Sequence, residues 1–296
     1  MTEPAARSAA HALLVVNRAA RKGNANLDAV IAALAPAWRP EVLAIEHPGD
    51  LTARLDAAMG TSVGCVVVAG GDGTVCTAAS VAMRHGRPLG VIPLGTANDF
   101  ARTLGVPEDP AEAAAVVARG RTRRVDVAEV NGCVFLNAAS IGLGSDLHKE
   151  VTSRAKRLLG PLAYPFTLLR RSWSKLPFHV ELRGDGLDGR YHVVQVTVAN
   201  GRNYGGGMTV HEHARIDDGR FDVLLIRARP VWQYALHAVS LKTGVYGRDS
   251  PMIVGRARRL EVRTRRPKTI ATDGENRTRT PAAFRMLPGA LEVFAP

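Results

Sequence analysis

The sequence predicts an α/β protein with two domains, an α/β domain followed by an antiparallel β-rich domain. The first domain is indicated by buried strand-like runs that alternate with helical stretches, and by two such runs that end in glycine-containing turns. The second is indicated by short strand-like runs, separated by Gly, Asp and Asn turns, from about Arg123 onward. A chain of 296 residues can bury a core in each domain. We expect domains over 1–125 and 126–284, with about 285–296 returning to the first.

In the first domain, strands and helices are expected to alternate around a parallel sheet. The expected strands are Ala12–Val16, Glu41–Ile45, Val66–Ala69 and Gly90–Pro93. The expected helices are Asn26–Leu34, a helix that ends at Met59, Val75–His85, Phe100–Gly105 and Ala111–Arg119.

The second domain is expected to be mainly antiparallel strands with two helical stretches. The expected strands are Val125–Val130, Cys133–Ser140, Phe178–Arg183, Tyr191–Asn200, Phe221–Ile226, Arg259–Thr264 and Thr269–Thr272. The helical stretches are Gly144–Trp173 and Val231–Thr243, and the last run, Ala290–Phe294, is expected to pack on the first domain.

The two glycine turns predict an anion site. Gly70–Thr74 (GGDGT) follows a β-branched run and precedes a helix, and Leu89–Phe100 (LGVIPLGTANDF) repeats the plan. Glycines let a ligand approach the main chain, and the N–H groups at a helix N-terminus attract negative charge. Because open α/β sheets bind ligands at the carboxyl ends of their strands, we expect a nucleotide phosphate site there. The Asp72 carboxylate is of the type that positions Mg²⁺ or its water shell.

The composition indicates which kinds of partner and which cellular compartment to expect. The net charge of +12 indicates an anionic partner: a nucleotide, a nucleic acid or an acidic membrane surface. Three cysteines without CxxC spacing predict no disulfide framework and fit a reducing cytosol. We expect a cytoplasmic protein, because no signal peptide is evident and no apolar run reaches about 18 residues. The glycine turns match neither the P-loop nor the GxGxxG motif.

The paired turns resemble those of the diacylglycerol kinase catalytic-domain family, which includes bacterial lipid kinases and sphingosine kinases. GGDGT is shared with NAD kinases and loosely with phosphofructokinases, whereas PLGTANDF at 93–100 is much more specific to the lipid kinases. Further matches occur in the same order along essentially the whole chain, at 137–144, 160–164, 200–207, 217–219, 273–275 and 288–291.

The resemblance implies ATP-dependent phosphorylation of a lipid hydroxyl by a three-layer α/β nucleotide-binding domain and a β-sandwich domain. Glu275 is implied as the proton acceptor, with Asp273 beside it. A structural Mg²⁺ is implied at the Asp218 carboxylate and at main-chain oxygens of Arg215 and Arg220. The residues expected at the nucleotide are Asn17, Arg21, Gly70, Gly71, Asp72, Gly73, Thr74, Gly95, Thr96, Asn98 and Asp99.

The implied partners are a nucleotide and a lipid at an anionic membrane surface. A role in phospholipid biosynthesis follows, with peripheral membrane association, no nucleic acid, and a homodimer as a possible assembly. Arg154–Lys175 combines basic ends with an apolar, aromatic middle. It predicts either a membrane-facing segment or a helix pair that packs on the second domain.

Two acidic turns contain residue types that are suited to proton transfer or metal binding. In Asp273-Gly274-Glu275, one carboxylate can accept the hydroxyl proton in phosphoryl transfer while the other orients metal or substrate. The alternative is an acidic surface turn. Asp217–Gly219 lies between two strand-like runs and is expected to be a hairpin turn, either plain or metal-binding.

The first-strand turn departs from the pattern of the family, because Arg18 replaces a proline and Arg21 a glycine. Arg21 either closes the backbone approach or contacts phosphate. Ile45 replaces a threonine, and Cys76 and Thr77 replace an asparagine and a glutamate, which removes polar groups near the nucleotide. The segment 211–214 (HEHA) lacks the proline and acid of the family, close to the expected metal loop. The alternatives to a kinase of diacylglycerol or a sphingoid base are a NAD kinase-like kinase of a soluble alcohol and a catalytically weakened nucleotide- or lipid-binding relative.

Overall fold

The computed structural model describes residues 10–17, 27–143, 177–230, 233, 237–247 and 249–296. The chain divides into two compact units, residues 1–125 with 289–296, and residues 126–288. Arg21, the basic and aromatic segment 154–175 and the predicted helical stretch 144–173 lie outside the described residues.

The secondary structure elements are numbered in chain order. The strands are β1 Ala10–Asn17, β2 Trp38–Ile45, β3 Val63–Gly70, β4 Leu89–Pro93, β5 Thr122–Val130, β6 Cys133–Phe135, β7 Ala138–Gly142, β8 Phe178–Gly184, β9 Gly189–Ala199, β10 Asn203–Tyr204, β11 Met208–Thr209, β12 Phe221–Arg227, β13 Met252–Ala257, β14 Arg259–Thr264, β15 Thr269–Thr272, β16 Glu275–Arg279 and β17 Ala282–Phe294. The helices are α1 Leu27–Leu34, α2 Leu51–Ala58, α3 Asp72–Arg84, α4 Asp99–Leu104, α5 Pro110–Ala118 and α6 Ala238–Thr243.

The first unit is built on parallel strands in the order β17, β4, β3, β1 and β2. Almost every residue of β3 and β4 is buried, which explains their continuous runs of Val, Ile and Leu. The register pairs Val16 with Ala69 and Gly70 with Pro93. The carboxyl ends of β1, β3 and β4 therefore lie side by side, and both glycine turns start from this edge.

The second unit is an antiparallel sheet in the order β16, β15, β7, β9, β8, β14 and β17, with β12 beside β9 and β13 beside β12. Two apolar clusters flank it. Val223 and Leu225 belong to one cluster and Leu224 and Ile226 to the other. Since alternate residues of a strand point to opposite faces, β12 is buried on both of its faces.

Three sequence expectations need correction. The predicted single strand 133–140 is two strands, because the N–H groups of Leu136, Asn137 and Ala138 bind a carboxylate instead of a neighbouring strand. Asp217–Gly219 is not a hairpin turn, because the residues before it form no strand and β12 pairs with β9 and β13. Helix α3 begins at Asp72 rather than Val75, so Thr74 lies in its first turn.

Strands β10, β11, β13 and β16 had no counterpart among the predicted elements. Within the described part of the predicted stretch 231–243, the regular helix is α6, Ala238–Thr243. Across the described ranges, no helix has the length and apolar character needed to cross a membrane.

Candidate active site

The two glycine turns of the first unit touch each other through their main chains. A Cβ atom placed on Gly95 would lie 2.6 Å from Gly71 Cα, and one placed on Gly71 would lie 3.3 Å from Gly95 Cα. Leu94 N also donates to Gly70 O at 3.0 Å. The turn after β3 and the turn after β4 are therefore one packed structure that only glycine permits at position 95.

Asn17, at the end of β1, is tied to the first turn of α3. Its Nδ2 donates to Thr74 Oγ1 at 2.8 Å, and Asn17 is 9% exposed. A Cβ on Gly70 would lie only 2.9 Å from Thr74 Cβ, so the strand end and the helix are in close contact. The structure thus brings together Asn17, Gly70 and Thr74, three residues expected at the nucleotide.

Asp72 links the two turns. Its Oδ1 accepts a hydrogen bond from Phe100 N at 3.2 Å, and Phe100 lies in the first turn of α4. Such N-terminal N–H groups have no partner inside their own helix, so Asp72 caps α4 from the neighbouring helix. The N-terminus of α3, which begins at Asp72 with Gly71 as its N-cap, is of the kind that receives phosphate.

The second turn is closed by one of its own side chains. Asn98 has φ 51°, its Oδ1 accepts from Gly95 N at 2.9 Å, and its Nδ2 donates to Gly95 O at 3.2 Å. Asp99 is 5% exposed, whereas Thr96 is exposed. The Asn98 amide therefore shapes the turn, and Thr96 lies on the surface.

The departures from the family pattern are accommodated in the core and along α3. Ile45 and Cys76 are buried, at 1% and 8% exposure. Thr77 Oγ1 donates to Gly73 O at 3.0 Å, a bond back to the preceding helical turn. The Thr77 hydroxyl is thus bound within α3.

In the second unit, Asp273 is an anchor. Its Oδ2 accepts from Leu136 N at 2.7 Å, and its Oδ1 accepts from Asn137 N at 2.9 Å and Ala138 N at 3.1 Å. Asp273 and Gly274 both have positive φ, 46° and 87°, which is the geometry of a two-residue type I′ hairpin turn between β15 and β16.

Glu275, the first residue of β16, is the more accessible of the two acids. Its side chain is 52% exposed, and Oε2 lies 2.5 Å from Nη2 of Arg277. Strand β16 lies at the end of the strand order, paired with β15. Among the described strands, the Glu275 carboxylate thus lies at a sheet edge, paired with a neighbouring guanidinium group.

The loop 217–219 is organised by a residue that sequence reasoning missed. Asp126 is 4% exposed, and its Oδ2 accepts from Gly219 N at 2.5 Å while its N donates to Ile216 O at 2.8 Å. The only sequence signal for this role is an acidic residue inside the apolar run VDVAEV, since a buried carboxylate needs hydrogen-bond partners.

Asp218 shares an arginine with a second, buried carboxylate. Its Oδ1 accepts from Arg220 N at 3.1 Å, and its Oδ2 pairs with the guanidinium of Arg256. Arg256 Nε lies 3.2 Å from Oδ1 of Asp222, which is 1% exposed and directly opposite on the neighbouring strand. Burial raises the pKa of Asp222 to about 6, against the opposing effect of Arg256.

The expected Mg²⁺ ligands are all oxygen atoms, which suit a hard cation, but an arginine competes with the metal for one of them. A carboxylate and main-chain carbonyls are oxygen ligands that Mg²⁺ accepts, but the Asp218 carboxylate already faces Arg256. The Arg215 side chain pairs instead with Asp217 at 2.9 Å, which raises the pKa of Arg215. Within the described ranges, no group of three or more His, Cys, Asp or Glu side chains could hold a metal.

The structure thus forms touching glycine turns at a parallel sheet edge and an Asp-Gly-Glu hairpin in a β-rich unit, the features on which the resemblance to lipid kinases rests.

Residues 11–130 match the diacylglycerol kinase catalytic domain, and residues 138–295 match the YegS C-terminal NAD kinase beta sandwich-like domain. A probable lipid kinase YegS-like protein of Pseudomonas aeruginosa is 32% identical over 96% of this chain and 94% of its own length. The diacylglycerol kinase of Bacillus subtilis is 33% identical over 84% of this chain and 83% of its own length. A crystal structure of a diacylglycerol kinase from Bacillus anthracis covers 97% of both chains with a TM-score of 0.77 at 26% identity.

The chain therefore belongs to the diacylglycerol kinase catalytic-domain family and carries the YegS-type C-terminal domain. The predicted family and the predicted fold class, an α/β catalytic domain with a C-terminal β-sandwich domain, are confirmed. Membership in a lipid kinase family implies a nucleotide substrate and typically a divalent metal.

Proposed function

We propose that the protein is an ATP-dependent lipid kinase that transfers the γ-phosphoryl group to a hydroxyl of a lipid such as diacylglycerol or a sphingoid base. The observation that carries this proposal is the contact between the two glycine turns at Gly71 and Gly95. The first turn is shared with NAD kinases. The second, PLGTANDF, is the lipid kinase signature, and here it completes the same packed structure.

The proposed phosphate site is the N-terminus of α3. Main-chain N–H groups of the first turn of α3 receive the phosphates. Asp72 stands at this helix end, where it would contact the Mg²⁺ that accompanies ATP, or its water shell. Thr96 offers a hydroxyl on the second turn, and Arg21 remains a proposed phosphate contact.

The proposed chemical step is a direct transfer. The lipid oxygen forms a bond to the γ-phosphorus as the bond from that phosphorus to the bridging oxygen breaks, and ADP leaves. The hydroxyl proton passes to the Glu275 carboxylate, which is partly exposed. Asp273 fixes the turn that presents Glu275, because backbone N–H groups already occupy its carboxylate.

A structural Mg²⁺ is proposed at Asp218 with the main-chain oxygens of Arg215 and Arg220. When bound, it would supply a fixed positive charge that stabilises the loop 215–220. The surrounding residues stabilise this loop independently of the metal: Asp126 accepts a hydrogen bond from Gly219, and Arg256 pairs with both Asp218 and Asp222.

Peripheral membrane association is proposed for the segment 154–175, on its basic and aromatic composition. It would bring a lipid hydroxyl in a bilayer within reach of the enzyme.

A screen with γ-³²P-labelled ATP and Mg²⁺ tests the function without a choice of acceptor. Vesicles of total bacterial lipid extract, diacylglycerol in mixed micelles, and soluble NAD are supplied in parallel. We expect a labelled lipid and no labelled NAD, and we expect Glu275→Gln to abolish turnover while ATP still binds. Labelled NAD without labelled lipid would establish the soluble-alcohol kinase instead, and full turnover by Glu275→Gln would remove the proposed base.

A weakened relative that binds nucleotide or lipid is the second candidate. It is favoured by Cys76, which is buried, and by Thr77, whose hydroxyl is bound to Gly73 O, where the family has an asparagine and a glutamate. Calorimetric binding of ATP and Mg²⁺ without turnover on any acceptor would support this candidate.

A further inference from the structure

Strand β16, which carries Glu275, contains a β-bulge. Glu275 pairs with Thr272 and Asn276 with Ala271, but the next pair on β15, Ile270, joins Thr278. Arg277 is therefore the extra residue of the bulge. A bulge interrupts the regular alternation of a strand and redirects the side chain at that point.

The Arg277 side chain reaches the Glu275 carboxylate. Arg277 Nη2 lies 2.5 Å from Glu275 Oε2, and the two side chains are 44% and 52% exposed. An ion pair as exposed as this one contributes little to folding stability. We therefore expect the ion pair to act on the orientation of the Glu275 carboxylate, since a guanidinium group donates from a planar, fixed set of N–H groups.

The strand that carries both residues is fixed at its two ends. At the start, Asp273 is held by the N–H groups of residues 136–138. At the far end, Asn131 Nδ2 donates to Thr278 Oγ1 at 3.2 Å, Arg279 O at 3.2 Å and Pro281 O at 3.1 Å, and its Oδ1 accepts from Ala283 N at 3.0 Å. Arg277 therefore contacts Glu275 from a backbone that cannot shift easily.

We propose that Arg277 is a positioning residue that holds the Glu275 carboxylate in the orientation needed to accept the proton of the acceptor hydroxyl. This inference rests on the proposed function. Arg277 acts through Glu275, so its loss leaves ATP binding intact and lowers the rate of the transfer step, because small misplacements of a reacting group cost up to about 100-fold in rate.

The test uses MgATP with diacylglycerol in mixed micelles and with vesicles of total bacterial lipid extract. For Arg277→Gln we expect kcat to fall by about 10-fold or more, with an unchanged KM for ATP and an unchanged melting temperature. Arg277→Lys should recover part of the rate. Arg279→Gln, an exposed arginine on the same strand, is the matched control and should behave as the wild type.

The KM for ATP and the melting temperature separate positioning from a purely structural role, because a structural role would change them and positioning of Glu275 would not. An unchanged kcat for Arg277→Gln alongside an inactive Glu275→Gln overturns this inference and leaves the proposed function standing. Wild-type turnover by Glu275→Gln overturns the base assignment and this inference with it.

A measurement without turnover decides the case in which no acceptor is phosphorylated. Crystal structures of the wild type and of Arg277→Gln should show one orientation of the Glu275 carboxylate in the first and several in the second. The same single orientation in both proteins would overturn the positioning role.

Discussion

Gly95 has no room for a side chain, because a Cβ there would lie 2.6 Å from Gly71 Cα and 2.8 Å from Asn98 Oδ1. We expect Gly95→Ala to displace the second turn, weaken ATP binding by about 10-fold or more, and lower the free energy of unfolding by about 1–3 kcal/mol. Calorimetric ATP titration and chemical denaturation measure these effects. Gly49→Ala is the matched control, since no atom lies within 4 Å of a Cβ there. Undiminished ATP binding by Gly95→Ala would contradict the proposed phosphate site.

Arg256 and a divalent cation are expected to compete for Asp218, because the guanidinium already pairs with its Oδ2. Arg256→Lys keeps a positive charge for the buried Asp222 but loses the fork that reaches both carboxylates. Mg²⁺ should therefore raise the melting temperature of Arg256→Lys more than that of the wild type, and about tenfold tighter binding corresponds to about 1.4 kcal/mol.

Thermal unfolding is followed across a Mg²⁺ titration without nucleotide, with Arg263→Lys on the exposed face of β14 as the control. If Mg²⁺ stabilises neither the wild type nor Arg256→Lys, the proposed metal ligands at Asp218, Arg215 and Arg220 are wrong.

The residues that sequence reasoning found and those it missed differ in where their partners lie. The glycine turns and the Asp-Gly-Glu triplet are local patterns that can be recognised within a few consecutive residues. Asp126, Asn131 and Arg256 act on groups that are distant along the chain, at Gly219, Thr278 and Asp218. A single sequence does not show which distant groups these side chains pair with, because the folded sheet brings the partners together.

At the scale of elements, α2 and α3 are joined by a charged cluster near the C-terminus of α3. Asp56 Oδ2 pairs with Arg84 Nη2 at 2.6 Å, and Oδ1 with His85 Nε2 at 3.0 Å. Hydrogen bonds from His85 and Arg84 hold the pKa of Asp56 below its ordinary value. The N-terminus of α3 is the proposed phosphate site, so this cluster fastens the opposite end of the same helix.

The sign of the resulting pH dependence follows from the lowered pKa. The native state holds ionised Asp56 more strongly than the unfolded chain does, so the stabilisation is present above an ordinary aspartate pKa and is lost as pH falls through the lowered one. We expect Asp56→Asn to reduce the loss of melting temperature below about pH 4, by a small and salt-sensitive amount because the site is exposed. If the melting temperature falls equally in Asp56→Asn and in the wild type as the pH is lowered, this account is wrong.

Strand β16 shows why an element can be absent from a sequence-based description. Its residues, ENRTR, are almost all exposed and have no apolar alternation, because among the described strands β16 lies at the end of the order and pairs with β15 alone. The Asp-Gly dipeptide at 273–274 is nevertheless a strong hairpin signal, and it could have placed a strand there. Strands β3 and β4 were predictable because burial on both faces demands apolar residues throughout.

At the scale of the whole molecule, the net charge of +12 should govern association with membranes. We expect the protein to sediment with vesicles that contain phosphatidylglycerol, and the bound fraction to fall steeply between about 0.05 M and about 0.5 M salt as charges are screened. Vesicles of phosphatidylcholine alone are the control. Binding that is equal on both vesicles and insensitive to salt would contradict an electrostatic contribution.

The change from strand–helix alternation to consecutive strands near Arg123 can be seen in the sequence, because parallel and antiparallel sheets impose different residue patterns. The order of the strands in the sheet cannot be predicted from these patterns. Strand β17 runs from Ala282 to Phe294, whereas only Ala290–Phe294 was predicted, because Pro288 and Gly289 are residues that usually interrupt strands.

The course of β17 has a consequence for biosynthesis. Val293 pairs with Leu89 of β4, so the first unit obtains this strand only after residues 126–288 have been synthesised. N-terminal domains usually fold first during translation, but here residues 126–288 form an uninterrupted stretch that can fold while the first unit waits. A fragment that stops at Val125 would leave β4 as an unpaired edge prone to aggregation, so an isolated catalytic domain needs residues 289–296 supplied through a linker.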